Sequence, residues 1–204
     1  MLMQTDNMFR SILRALRRAW IPILTFTLTY LIAVLIGIFL VHTGNAFALS
    51  SRDNIIANAQ TSSILQAFHT GNRLHAALLD FGANLFAACT NTISGLTIIV
   101  PYPVAAYRGW VIGIVSVDSA HLSRLADPSS AFYYILTVIL QLIPYSLAGG
   151  AGVNLGLAYL RPRPSYQGEK WLGLPKEAIR DTLRIYILVL PLFLGASLWE
   201  FLTA

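Results

Sequence analysis

The chain has 204 residues, of which 56% are hydrophobic and 11% charged, with a mean hydropathy of +0.64. A soluble domain carries roughly a quarter charged residues, so lipid solvates most of this chain, and no separate soluble domain fits beside about five spans of about 20 residues each. The net charge of +5 arises from basic residues that flank hydrophobic runs, a pattern of membrane orientation that excludes a phosphate-tracking nucleic-acid surface.

Residues 8–20 are amphipathic. Met8, Phe9, Ile12, Leu13, Leu16 and Trp20 share one side of a helix, and Arg10, Arg14, Arg17 and Arg18 populate the other. The spacing predicts an interfacial helix over 1–19, lying in the headgroup plane with its arginines toward anionic lipid. The first hydrophobic run, 20–42, precedes Ala46-Phe47-Ala48, which resembles a signal-peptidase site. At 23 residues the run exceeds a signal core of about 7–15, and it reads as the first span of a single domain, 20–204.

Between the first two runs, Ser51 or Asp53 is expected to cap a helix extending through Phe68. The second run covers 76–100 and ends at Pro101-Tyr102-Pro103. The third is purely apolar only from Gly109 to Val117, and reads either as a re-entrant half-helix or as a full span over 104–125. The fourth, 130–160, would reach about 46 Å as a helix, longer than a hydrocarbon core of about 30 Å, so a kink is expected at Pro144. The last, 185–203, is entered by a helix starting near Pro175.

Positive charge chooses between the two readings of the third run. Four arginines precede Trp20, and six basic residues (Arg161, Arg163, Lys170, Lys176, Arg180, Arg184) lie between the fourth and fifth runs. If all five runs cross, Arg108 joins them to give eleven basic residues inside, with Arg52, Arg73 and Arg124 outside. A re-entrant third run puts the six-residue basic loop outside, against the positive-inside rule. The expectation is therefore an all-α polytopic bundle, N-terminus cytoplasmic and C-terminus external.

Polar residues within spans carry the information about sites. Asp80, Asn84, Ala87, Ala88, Asn91 and Gly95 fall within about 100° on a helical wheel. That stripe serves either helix packing or the lining of a ligand path. Asp118, His121 and Arg124 recur at i, i+3 and i+6, as an ion-paired helix end or a proton relay would place them. His42, His69 and His75 have no ligand spacing and read as solvated. Gln141 lies near mid-depth, and Gly149, Gly150, Gly152 and Gly156 offer close helix contact, 152/156 as a GxxxG pair. In the five-crossing topology Asp80, Asp118, His121, Arg124 and Glu200 come to one level, so one polar cluster near the outer surface is expected, helix-locking or binding an external cation or partner. Cys89 is the only cysteine, which excludes an intrachain disulfide or a Cys-rich metal site. No GxSxG, HExxH, CxxC or strand-borne GxGxxG is present. No catalytic residue, metal ligand set or cofactor is assigned.

Three stretches resemble the SpoIIM (stage II sporulation protein M) family of membrane proteins. Phe81-Gly-Ala-Asn84 is similar to the family's F-x-x-N, with Arg108-Gly109-Trp-Val-Ile-Gly113 where N-G-x-x-x-G is usual. Leu142-Ile-Pro144-Tyr145-Ser146 followed by Gly149-Gly-Ala-Gly152 resembles L-P-H-G and its glycine-rich helix. Leu190-Pro191 through Glu200-Phe201 resembles the closing span. Tyr145 replaces the usual histidine, and Gly149 stands near the place of the usual glutamate. The resemblance covers roughly 76–204 and implies a membrane-embedded organiser that holds partner proteins.

Together these readings lead to a non-enzymatic scaffold or assembly subunit, held with other membrane subunits in a prokaryotic cytoplasmic (inner) membrane. The alternative is a channel or transporter component that moves an ion or small solute along the polar span residues. A cavity reaching Asn84, Asn91 and Gln141 favours the alternative, and a dry packed interior favours the scaffold.

Overall fold

A computed structural model describes residues 2–161 and 164–203, the side chains of residues 2–7 excepted. Seven α-helices account for most of them: α1 (Leu2–His42), α2 (Ala46–Gln60), α3 (Ser63–His69), α4 (Arg73–Ser94), α5 (Pro101–Ile114), α6 (Pro128–Leu160) and α7 (Lys176–Leu202). The fold is all-α. Its one sheet among the described residues is a hairpin pairing β1 (Lys170–Trp171) with β2 (Leu174–Pro175). Leu172 and Gly173 turn it with φ of 51° and 82°, the left-handed pair that suits a two-residue hairpin.

Three helices are long and apolar enough to cross a membrane: Met8–His42, Pro128–Leu160 and Lys176–Leu202. Their outward faces carry large apolar side chains at helical spacing, as in Leu24, Leu28, Leu31, Leu35 and Phe39 of α1 and Phe132, Ile135, Ile139 and Ile143 of α6. Such continuous stripes suit lipid rather than water.

Close contacts fix the helix directions. Gly109 and Gly113 of α5 advance along Tyr30 and Val34 of α1, so these two run parallel, and a Cβ on either glycine would meet an α1 carbonyl oxygen at 2.3 Å. The α6 glycines run the other way, with Gly149 on Phe26 and Gly150 on Ile23 of α1. Asn84 of α4 meets Tyr145 of α6, while Thr92 and Gly95 meet Gly152, so α4 runs with α6. Asp181 of α7 lies at Arg18, and Ser197 lies at Asp80. Thus α1, α5 and α7 point one way, and α4 and α6 the other. Phe26, Tyr30, Tyr145, Ile185, Val189 and Phe193 fill the core between them.

One end of the bundle carries the α1 arginines and the hairpin and is here the basic end. At the opposite, cap end, α2 packs Ala48 against Val41, Ile114 and Val117, and α3 sets Phe68 edge-on against Phe201 at 5.8 Å. Asn45 caps α2 by accepting from the Ala48 amide at 3.0 Å. Ser62 caps α3 by accepting from the Leu65 amide at 3.3 Å. Both displace the caps expected at Ser51 or Asp53, because Asn45 and Ser62 each follow a turn that frees their side chains.

Two expectations change here. Of the segment expected over 1–19, the described residues 2–19 form no separate element: α1 continues unbroken from Leu2 into the first hydrophobic run, with Ile12, Ala15 and Ala19 buried. The helix expected over 104–125 ends at Ile114. Asp118 then accepts from the Ala120 and Leu122 amides, each at 2.9 Å, an Asx-type turn that competes with helix. Val117 bridges Ser123, and Asp127 caps the next helix through the Ser130 amide at 2.9 Å, with Pro128 at its first turn. At 14 residues, α5 is about 21 Å long.

Candidate functional site

Asp80 and Asn84 share one face of α4 at i, i+4, where Asn84 Nδ2 donates to Asp80 Oδ2 at 2.8 Å. Asn84 Oδ1 accepts from the Tyr145 hydroxyl at 2.6 Å. That hydroxyl oxygen accepts in turn from Arg108 Nη1 at 2.6 Å, and the guanidinium lies 4.4 Å from the ring centroid. Ser197 of α7 closes the other end, donating to Asp80 Oδ2 at 2.7 Å. Every donor from Arg108 onward points toward Asp80. The chain is polarised from cation to carboxylate, and such alignment strengthens each bond in it. Four helices are tied by it at mid-bundle. Because the guanidinium keeps its protons, the chain orders charge and carries no proton.

Glu200 lies beside this chain, half-buried, where its Oε2 accepts from Gln141 Nε2 at 2.7 Å. Three cavities adjoin along α6. A mouth of about 970 Å³ at the cap end is walled by Asp118, Arg124, Asp127, Tyr133 and Tyr134, among others. It shares Arg124, Tyr133 and Tyr134 with a middle cavity of about 270 Å³ that contains Thr137, Gln141 and Glu200. The middle cavity shares Ile112 and Gln141 with an inner one of about 640 Å³, lined also by Tyr30, Arg108 and Tyr145 and open at the bundle surface beside the exposed Pro103 and Tyr107. Toward the basic end the interior is closed, with Phe26 filling the face of Gly149 and Gly152 seated on Thr92.

The expected five-residue cluster is only partly assembled. Asp80 and Glu200 lie on either side of one network, and Arg124 walls the cavity that holds Glu200. Asp118 instead folds its own loop, and His121 Nε2 sits 3.1 Å from both carboxylate oxygens of Asp53. The i, i+3, i+6 face of Asp118, His121 and Arg124 does not exist, since the chain there is a turn with His121 at φ 59°. Asn91 is buried and accepts from Ser94, with its Nδ2 unpartnered. Pro144 is buried inside α6. Gly149, Gly152 and Gly156 all meet helices of this same chain: a Cβ on Gly156 would lie 2.3 Å from the Gly95 carbonyl oxygen. His42, expected to be solvated, is exposed and lies 2.8 Å from Ser123 Oγ.

Two features escape the sequence reading. Arg108 and Tyr30 belong to the site, although both sit in stretches that read as ordinary span. The second feature is a half-buried ion cluster at the basic end, centred on the buried Asp181. Arg18 reaches Asp181 through Nε and Nη2, each at 2.6 Å, and Arg184 Nη1 adds a third bond at 2.9 Å. The Tyr166 hydroxyl donates to Asp181 at 3.1 Å and accepts from Asn154 at 2.8 Å, and burial pushes its pKa up to about 12. Glu177 accepts from Arg18 at 3.1 Å and from Arg184 at 2.6 Å. The signal was Glu177, Asp181 and Arg184 at i, i+4, i+7, one face of a helix. Among the described residues no three of His, Cys, Asp and Glu group as metal ligands.

An all-helical bundle with lipid-suited faces and a polar network at its centre defines a membrane-type protein whose distinctive residues fall on four helices. These are the stretches Phe81–Asn84, Arg108–Gly113, Pro144–Gly152 and Pro191–Glu200. A model of the stage II sporulation protein M (SpoIIM) family matches residues 26–203, and the chain belongs to that family. Comparison with curated proteins and with solved structures returned no match.

Proposed function

We propose that this chain is a non-enzymatic protein of the prokaryotic cytoplasmic membrane that admits a small solute from the external side into a cavity between α5 and α6. The observation that carries the reading is the run of three adjoining cavities from the cap end to Arg108 and Tyr145, with Arg124, Glu200 and Gln141 along it. Charged and amide side chains on spans are costly to hold in lipid and mark ligand paths. The alternating helix directions support five crossings, and with Arg108 drawn into mid-bundle the ten-to-three division of the remaining basic residues supports a cytoplasmic basic end and an external cap end. The exposed Arg10, Arg14 and Arg17 suit anionic headgroups there.

The scaffold reading keeps one observation of its own. The basic half is packed backbone to backbone, with Gly95 against both Gly152 and Gly156, as suits a rigid organiser. Its small-residue faces are occupied internally, so partner subunits would meet the exposed stripes of α1 and α6 instead.

Single cysteines at Thr61, Thr137 and Ser165, in a Cys89→Ser background, test both readings with an impermeant thiol reagent on intact cells. Labelling is expected at 61 and 137 and not at 165. Labelling at 165 with protection at 61 reverses the orientation. Protection at 137 beside labelling at 61 removes the water-accessible cavity and leaves the scaffold.

A further inference from the structure

The inner cavity has a wall of one sign. Arg108 is its single charged residue, set among Ile55, Val104, Val111 and Ile112. Of five guanidinium N–H donors, one bond is made, to Tyr145, and among the described residues no carboxylate pairs with Arg108 directly. Asp80 answers that charge only through Tyr145 and Asn84. Gln141 has turned its amide N–H toward Glu200. A second group points to an occupant. Tyr30 is 0% exposed and lines this cavity, yet its hydroxyl has no hydrogen-bond partner. A buried polar atom left unmade costs about 1–3 kcal/mol, and Tyr30 sits within electrostatic reach of both Arg108 and Tyr145.

Resting on the cavity reading above, we infer that the inner cavity binds an organic monocarboxylate with an apolar body, its carboxylate held by Arg108 and the Tyr30 hydroxyl. One negative charge balances the one cation, and two kinds of donor suit the two carboxylate oxygens. The remaining wall is apolar, and about 640 Å³ falls in the range of small-molecule sites. A phosphate would bring extra charge into a wall with no further cation. Tyr30 lies ten residues along α1 from Trp20, about 15 Å deep, below the level where lipid phosphates lie. The same chemistry is available from a water-borne acid or from a fatty acid in the bilayer.

Purified full-length protein in nanodiscs of neutral lipid, titrated with radiolabelled benzoate or octanoate, provides the test. Saturable binding is expected, weakened about tenfold or more by Tyr30→Phe and lost in Arg108→Gln, with the thermal stability of ligand-free Tyr30→Phe unchanged or raised. Oleate added to the nanodisc either displaces the label, placing a bilayer fatty acid in the site, or leaves it bound, placing a water-borne acid there; both outcomes support the assignment. Absence of saturable carboxylate binding overturns it. So does equal binding by Tyr30→Phe, equal binding of benzamide, or preferential binding of inorganic phosphate. Should Arg108→Gln fail to fold, Tyr30→Phe decides alone, because its hydroxyl bonds to nothing in the empty protein. The Thr137→Cys variant separates this inference from the reading beneath it. Labelling there without carboxylate binding sinks the ligand and keeps the cavity, and binding without labelling keeps the ligand and sinks the external entrance.

Discussion

Arg108 Nη1 donates to the Tyr145 hydroxyl at 2.6 Å, and its guanidinium rests 4.4 Å from that ring. These are the positions where the family pattern places asparagine and histidine. The two departures from the resembled pattern touch, as a cation and a phenol. Near the usual glutamate stands Gly149, and the Phe26 ring occupies its face.

Coupling between this pair is the first expectation. Tyr145→Phe removes a bond to Arg108 and another to Asn84, and should destabilise by about 1–3 kcal/mol because both partners are half-buried. In a double-mutant cycle with Arg108→Gln, unfolding in mixed micelles should give an interaction energy of at least about 1 kcal/mol. Additive losses would show that the contact contributes nothing.

Glycine substitutions separate internal packing from partner contacts. A Cβ at Gly95 would lie 2.2 Å from the Gly152 carbonyl carbon, whereas one at Gly82 meets nothing within 4 Å. Gly95→Ala should cost about 1–3 kcal/mol or more through forced backbone shifts. Gly82→Ala, within α4, should gain about 0.5–1 kcal/mol. Equal effects in unfolding titrations would refute the close α4–α6 contact.

At the basic end, Asp181 accepts from Arg18, Arg184 and Tyr166 while fully buried. Asp181→Ala leaves two arginines without this acceptor and should destabilise by about 3–5 kcal/mol. Tyr166→Phe removes a neutral donor to Asp181 and the acceptor of the buried Asn154 amide, and should cost about 1–2 kcal/mol. If the two variants unfold alike, the carboxylate is not the centre of the cluster.

Asp53 gives a pH expectation at the cap end. Hydrogen bonds from Arg52 and then His121 hold its carboxyl below the ordinary carboxylate value. A depressed folded value means the contact contributes fully above that ordinary range, about pH 4, and is lost as pH falls through the folded value. Proteolysis of the 115–127 loop by an acid-active protease should therefore rise as pH drops below about 4. In Asp53→Asn the loop should be cut readily at every pH, and a rise that persists in that variant would assign it to another group.

Sequence alone determined the elements whose cause is local. The first apolar run ends at His42 and so does α1; Pro175 precedes α7, and Pro144 lies within α6. Hydrophobic runs, proline positions and short motifs sufficed for the helical class and the family, because each acts within a few residues. The angular position of Asp80 and Asn84 on one helix face was likewise legible, since 3.6 residues per turn sets it. Tertiary structure alone decided which side chains those faces meet. Arg18 and Asp181 are 163 residues apart, and no periodicity on either helix names the other. Arg108 read as a topological marker until α6 brought Tyr145 beside it. Asp118, His121 and Arg124 fit a helical pattern that lost to an Asx turn, because the loop gains amide bonds and a contact with Asp53 that a lone helix does not offer. A helical wheel fixes a direction, and only the packing of other helices puts a partner there.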